Sequence, residues 1–181
     1  KNVAVGARAM LVNTTGTQNV AVGYEALEVN TTASYNVAVG YQSLTANTTA
    51  SSNVGVGFKS LFTNTTGGNN VAMGDSALRA NTTASNNTAI GTNALTANTD
   101  GANNTAVGQG ASESITTGSN TTAVGVDALR DASGNSNSAF GKDAGLNVTT
   151  GTNNLFLGKD AGITGSPGGN ITTGSNTIVL G

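Results

Sequence analysis

Asn19-Val20-Ala21-Val22-Gly23-Tyr24-Glu25-Ala26-Leu27-Glu28-Val29-Asn30-Thr31-Thr32 is one turn of a pattern that runs through nearly the whole chain. Its kernel, Asn-Val-Ala-Val-Gly, first stands at Asn2–Gly6. It returns with closing glycines at Gly23, Gly40, Gly57, Gly74, Gly91, Gly108, Gly125, Gly141, Gly158 and Gly181. Seven successive intervals are 17 residues, followed by 16, 17 and 23. A fixed short period means that each repeat is one structural unit, and that it buries its apolar face only against its neighbours. The expected shape is an elongated stack.

With the closing glycine as position zero, position −1 is always a large apolar residue, from Val5 through Met73 and Phe140 to Leu180. Position −3 carries Val3, Val20, Val37, Val54 and Val71, then Thr or Ser, then Leu155 and Ile178. Large residues alternating about a small one are the period-two signature of a strand. Glycine then turns the chain where a side chain would clash. A second apolar file stands at +4 (Met10, Leu27, Leu44, Leu61, Leu78, Leu95, Leu129), with Val12, Val29, Ala46, Ala80 and Ala97 two places later. That spacing predicts a second strand. A turn of helix over Tyr24–Val29 is the alternative, and so short a helix is marginal. The rest of each repeat, as in Asn13-Thr14-Thr15-Gly16, has the chemistry of turns. The sequence thus predicts an all-β fold, a parallel β-solenoid (β-roll) of 17-residue coils with two short strands per coil. Residues 1–140 are expected to form regular repeats and 141–181 irregular C-terminal coils or a capping transition. In the latter the +4 file turns to Gly145 and Gly162, and the last interval holds Pro167, the single proline.

Composition narrows the function. With no Cys, no His and 9% charged residues, the chain offers no disulfide framework, no thiolate metal site and no side chain that shuttles protons at neutral pH. A serine nucleophile would lack a histidine base, and no spaced pair of carboxylates marks a glycosidase. No enzymatic activity, cofactor or metal is expected. Asp127, Asp131, Asp143 and Asp160 lack the spacing of calcium-binding β-rolls. Seven scattered Lys and Arg form no stripe suited to nucleic acid. No apolar stretch approaches the ~18 residues of a membrane span, so no membrane insertion is expected in this segment. Abundant Asn, Thr, Gly and Ser would also suit disorder, but in-register valines, leucines and glycines argue for a fold.

Three surface features stand out. Position −2 is held small (Ala4, Ala21, Ala38, Gly55, Ala72, Ala89, Ala106, Ala123, Ala139), on the face opposite the valines. An unbroken small apolar stripe is read as a trimer interface, with a tight fold-over within one chain as the alternative. Position −4 is Asn in most coils, from Asn2 to Asn154, and stacked Asn forms hydrogen-bonded ladders in β-stacks. Tyr24, Tyr41 and Phe58 follow the glycine in three successive coils. They make either a glycan-contacting ladder or an aromatic staple between coils. The Asn-Thr-Thr phrases at Asn13, Asn30, Asn47, Asn64, Asn81 and Asn120 match the glycosylation acceptor, but their phase is that of a loop motif.

The unit Asn19–Thr32, repeated every 17 residues, resembles repeat regions of bacteriophage tail fibres and of related bacterial tail-fibre-domain surface proteins. More distantly it is similar to the heads of YadA-like trimeric autotransporter adhesins, whose shorter repeats share a Val-Ala-Ile-Gly core. The resemblance covers residues 2–162 well. It implies a parallel β-roll assembled as a homotrimer about the fibre axis, located extracellularly on a virion tail fibre or a bacterial cell surface. The implied function is a structural fibre or adhesin segment, a stalk or receptor-binding region, whose partner is a host cell-surface glycan or protein. The head of a trimeric adhesin is the nearest alternative. A monomeric ice- or glycan-binding solenoid is the alternative of another class.

Overall fold

A computed structural model describes residues 1–181 as one continuous parallel β-solenoid. It contains eleven three-residue strands: β1 (Val3–Val5), β2 (Val20–Val22), β3 (Val37–Val39), β4 (Val54–Val56), β5 (Val71–Met73), β6 (Thr88–Ile90), β7 (Thr105–Val107), β8 (Thr122–Val124), β9 (Ser138–Phe140), β10 (Leu155–Leu157) and β11 (Ile178–Leu180). They pair in chain order, each parallel to the next and in register, so that Val20 stands over Val37 and Ala21 over Ala38. At ~4.8 Å per strand the sheet is roughly 50 Å long.

Each coil contributes one strand, not two. The +4 leucines lie in tight turns in which positions +2 and +4 both take left-handed backbone, Glu25 at φ 55° and Leu27 at 51°, with Tyr35 at 63° further on. A strand needs φ near −120°, so the period-two signal after the glycine marks a turn instead. Left-handed backbone costs a non-glycine residue ~1–2 kcal/mol. The cost is offset by bonding from turn to turn. Only 20 of the 115 backbone hydrogen bonds lie within strands, so most of the ladder runs through the turns, for example Leu27 N–H to Ser43 O at 3.1 Å and Gln42 N–H to Tyr24 O at 2.8 Å.

The faces of the strand are inverted relative to the sequence reading. The alanines at −2, from Ala21 to Ala139, are fully buried inside their own chain, with Gly55 in the same file. Ala4, in the first coil, is exposed. The valines at −1 and −3 face outward and are half-buried or exposed. The alanine stripe is therefore core, as the fold-over alternative had it, and is unavailable as a trimer interface. The reason is space. The leucine of the opposite wall reaches across a narrow interior, and a side chain on Gly55 would meet Leu44 Cδ1 at 3.4 Å and Ser43 Oγ at 2.5 Å. Gly55 replaces alanine where the buried Ser43 and Ser60 hydroxyls bond each other at 2.9 Å and Ser43 donates to the Gly55 carbonyl. The same trade of volume recurs near the C-terminal end. Phe156 takes the alanine position, and Gly145 and Gly162 take the leucine position, where a methyl on Gly145 would lie 2.9 Å from the Phe156 ring.

Two buried files of asparagine complete the interior. At −4, Asn36 Nδ2 donates to the Ala50 carbonyl and its Oδ1 accepts the Asn53 N–H, each at 2.9 Å; the motif repeats down the rod. At +7, Asn64 Nδ2 donates to Asn47 Oδ1 at 3.1 Å and to Gly67 O at 2.9 Å. These amides take the place that a hydrophobic layer holds in wider folds. Asn64→Ala strips a buried coil of both bonds and leaves Asn81 Nδ2 without its 2.7 Å acceptor. It is expected to lower stability by about 2–4 kcal/mol in urea unfolding, because several buried polar groups lose partners together.

Candidate functional site

With the alanines inside, the outward face of the sheet is the surface most in need of explanation. Position −1 is apolar in all eleven strands, and position −3 in β1–β5, β10 and β11. Several of these side chains are well exposed, among them Met73 at 41%, Ile90 at 39% and Phe140 at 42%. The −1 file runs the full ~50 Å, and the −3 file ~7 Å beside it is apolar in seven of the eleven strands, broken by Thr and Ser in β6–β9. A file of large apolar side chains on an outward strand face is a candidate association surface. The sequence reading puts the alanines on the outward face in place of these residues; the signal it lacks is that a narrow coil lets only small residues face inward.

Tyr24, Tyr41 and Phe58 stand where the sequence placed them, one per coil. Their rings stack at 5.3 and 5.4 Å with interplanar angles of 13° and 11°. Each therefore covers the face of its neighbour and turns its edge to solvent. The Lys59 ammonium lies over the Phe58 ring at 5.2 Å. A sugar ring stacks on an aromatic face, so the flank of this ladder offers it edges only. The arrangement has the form of the staple alternative. Tyr41→Ala removes both stacks and is expected to cost about 1–3 kcal/mol in thermal or urea unfolding.

Beside the ladder, Arg8 bonds Glu28, and Gln42 Nε2 donates to Glu25 Oε2 at 2.6 Å. The Gln42 amide first, then the Tyr24 hydroxyl, holds the Glu25 carboxyl below the usual glutamate range. Its contribution to stability is present above the ordinary glutamate pKa of about 4.3 and is lost as pH falls through the depressed folded value. Glu25→Gln is expected to flatten the acid limb of a stability-versus-pH curve, measured by thermal unfolding between pH 3 and 7 in ~0.1 M salt.

The polar loops carry hydroxyls in register. Thr31, Thr65 and their equivalents donate to the carbonyl one coil on, at 3.0 to 3.1 Å for these two. The next residue, Thr15, Thr32, Thr49, Thr66 and Thr83, forms an exposed file that is interrupted by Asp100. Of the Asn-Thr-Thr asparagines, Asn30, Asn47, Asn64 and Asn81 are fully buried ladder members, and Asn120 is exposed. A fully buried amide is closed to glycosylation in the folded chain.

The remaining polar features are modest. Lys142–Asp143 and Lys159–Asp160 form exposed ion pairs, worth ~0–1 kcal/mol each. No group of three or more carboxylates is placed to hold a metal ion. A cleft of about 280 Å³ lies between the loop Ile163–Pro167 and Gly181, lined by Lys159, Asp160, Thr164 and Ser166. It holds no nucleophile paired with a base. No helix is long and apolar enough to cross a membrane. No protein-family model matches the chain, and neither does any curated protein or solved structure.

Proposed function

We propose that this chain is a non-enzymatic structural segment of an extracellular fibre, the stalk or receptor-binding region of a phage tail fibre or similar surface appendage. The reading is of a homotrimer whose subunits meet through the outward valine stripe. The observation that carries it is that stripe. Its −1 file is apolar in every coil and in register along the whole sheet, so threefold symmetry would bring three identical files together along one axis. The polar loops and the +1 residues would then face outward on three sides. Weak contacts to a host glycan or protein would be multiplied by avidity. An adhesin head on a bacterial surface uses the same physics. A monomeric solenoid that binds ice or glycan is the competing reading, favoured by the exposed threonine file.

The test is solution mass. Light scattering on the purified chain should give about 53 kDa, three times the 17.6 kDa of one chain. Val39→Glu with Val56→Glu, on the outward face, should return 17.6 kDa with the β-signal in circular dichroism intact. Ala72→Glu, by contrast, forces a carboxylate into the core and should abolish folding whatever the assembly state. A wild-type mass of 17.6 kDa overturns the trimer and moves the monomeric reading forward.

A further inference from the structure

The files that brace the rod do not run unbroken. The +7 asparagines extend from Asn13 to Asn98, each bonded to the one before; Asn98 Nδ2 donates to Asn81 Oδ1 at 3.0 Å. The next member is Ile115, which has no amide, so Asn98 Oδ1 is buried with no partner in the chain. In the same coil Ser112 replaces the core leucine, and its Oγ is buried and unpartnered. At the end of that coil Thr121 replaces the −4 asparagine. Its N–H still reaches Asn104 Oδ1 at 2.9 Å, but its own Oγ1 finds no partner. No other buried side-chain polar atom in the chain lacks a partner, so all three such atoms lie between residues 98 and 121. Beyond this coil the +7 file stays apolar, with Ala132 and Val148 fully buried.

Three independent files thus fail in one coil, and the core chemistry differs on its two sides. In a solenoid each coil contacts only its neighbours, so stability is a sum of neighbour terms and the weakest junction opens first. We propose that the coil from Asn98 to Thr121 is a built-in joint, the interior point at which the rod opens or bends before any other. It divides an asparagine-braced block, residues 2–98, from an apolar-cored block, residues 122–181. The backbone bonds across the joint are ordinary: Leu95 N–H to Ala111 O is 3.1 Å and Ser112 N–H to Ala128 O is 2.9 Å. The equivalent Leu61 and Leu129 bonds are 3.0 and 2.9 Å. Any difference in exchange between these amides therefore reports opening, not local bond geometry. The joint does not depend on the assembly state, and its failure would leave the fibre reading untouched.

The experiment is native-state amide hydrogen exchange on the full chain. The Leu95 and Ser112 amides should exchange at least tenfold faster than those of Leu61, Leu78 and Leu129, giving a minimum of protection flanked by maxima on both sides. Fraying from the ends alone gives a profile that rises steadily toward the middle, and that result overturns the proposal. The variant Ser112→Leu, Ile115→Asn, Thr121→Asn restores the residues of the regular coils and should erase the minimum. Thr121→Asn alone, the mildest of the three, should shrink it. A folded variant in which the minimum persists unchanged also overturns the proposal.

Discussion

Everything in this molecule depends on the width of the coil. Seventeen residues with one three-residue strand enclose a lumen that admits a single leucine per turn, facing an alanine. The large strand residues are left outside, because the small one is the only one that fits between the strand and Leu44 or Leu61 across the lumen. Such an interior buries little apolar surface per residue, and transfer free energy alone would hold it weakly. The deficit is met by buried amides. An asparagine at −4 and another at +7 close the polar loop against the coil above and the coil below, and few protein side chains can donate and accept in both directions at once. Left-handed leucines, and left-handed residues as varied as Glu25, Gln42 and Lys59, are tolerated because the stack fixes their backbone from both sides. An isolated coil would have no reason to adopt it.

The repeat, the parallel stacking and the structural role of asparagine were legible in the sequence, because each is a matter of phase, and phase survives translation into structure. What was not legible is which face of the strand points inward. Val-Ala-Val has the same alternation in either sense, and the usual rule that large apolar residues go inside selects the wrong one when the interior is this narrow. The second strand failed for a related reason. Leucine at φ near 50° is rare enough that no propensity would suggest it. The sequence held one hint: the same file admits Gly145 and Gly162, both at positive φ, and Gly110 stands at the neighbouring left-handed position. Glycine interchanging with leucine is unintelligible in a strand and natural in a left-handed turn.

Inversion of the faces changes what the repeat explains. With the alanine inside, its constancy is a packing requirement and says nothing about partners. The informative constancy is that of position −1, which remains Val, Met, Ile, Phe or Leu on an outward surface where packing within the chain asks for nothing so apolar. Position −3, beside it, relaxes to Thr and Ser in β6–β9, and so behaves as an outward strand position ordinarily does. The two files differ in what they tolerate, although both face the same way. That difference fits a surface in which one file is covered more deeply than the other.

Position +1 shows the opposite behaviour. It runs from Ala7 through Tyr24, Tyr41 and Phe58 to Asp75, Thr92, Gln109 and Val126, ending at Lys142 and Lys159. The backbone at that point is held by the turn ladder and by buried residues on either side, so its side chain is free to change without loss of the fold. The rod is thereby zoned along its length, with stacked aromatics near one end and Lys–Asp ion pairs near the other, on a scaffold that is constant beneath. Separating the files that hold the stack from the files that meet solvent lets one repeat present different chemistry at successive heights. The break at Ser112, Ile115 and Thr121 stands apart from this freedom, because it falls in the holding files, where change carries a cost in unpartnered buried atoms.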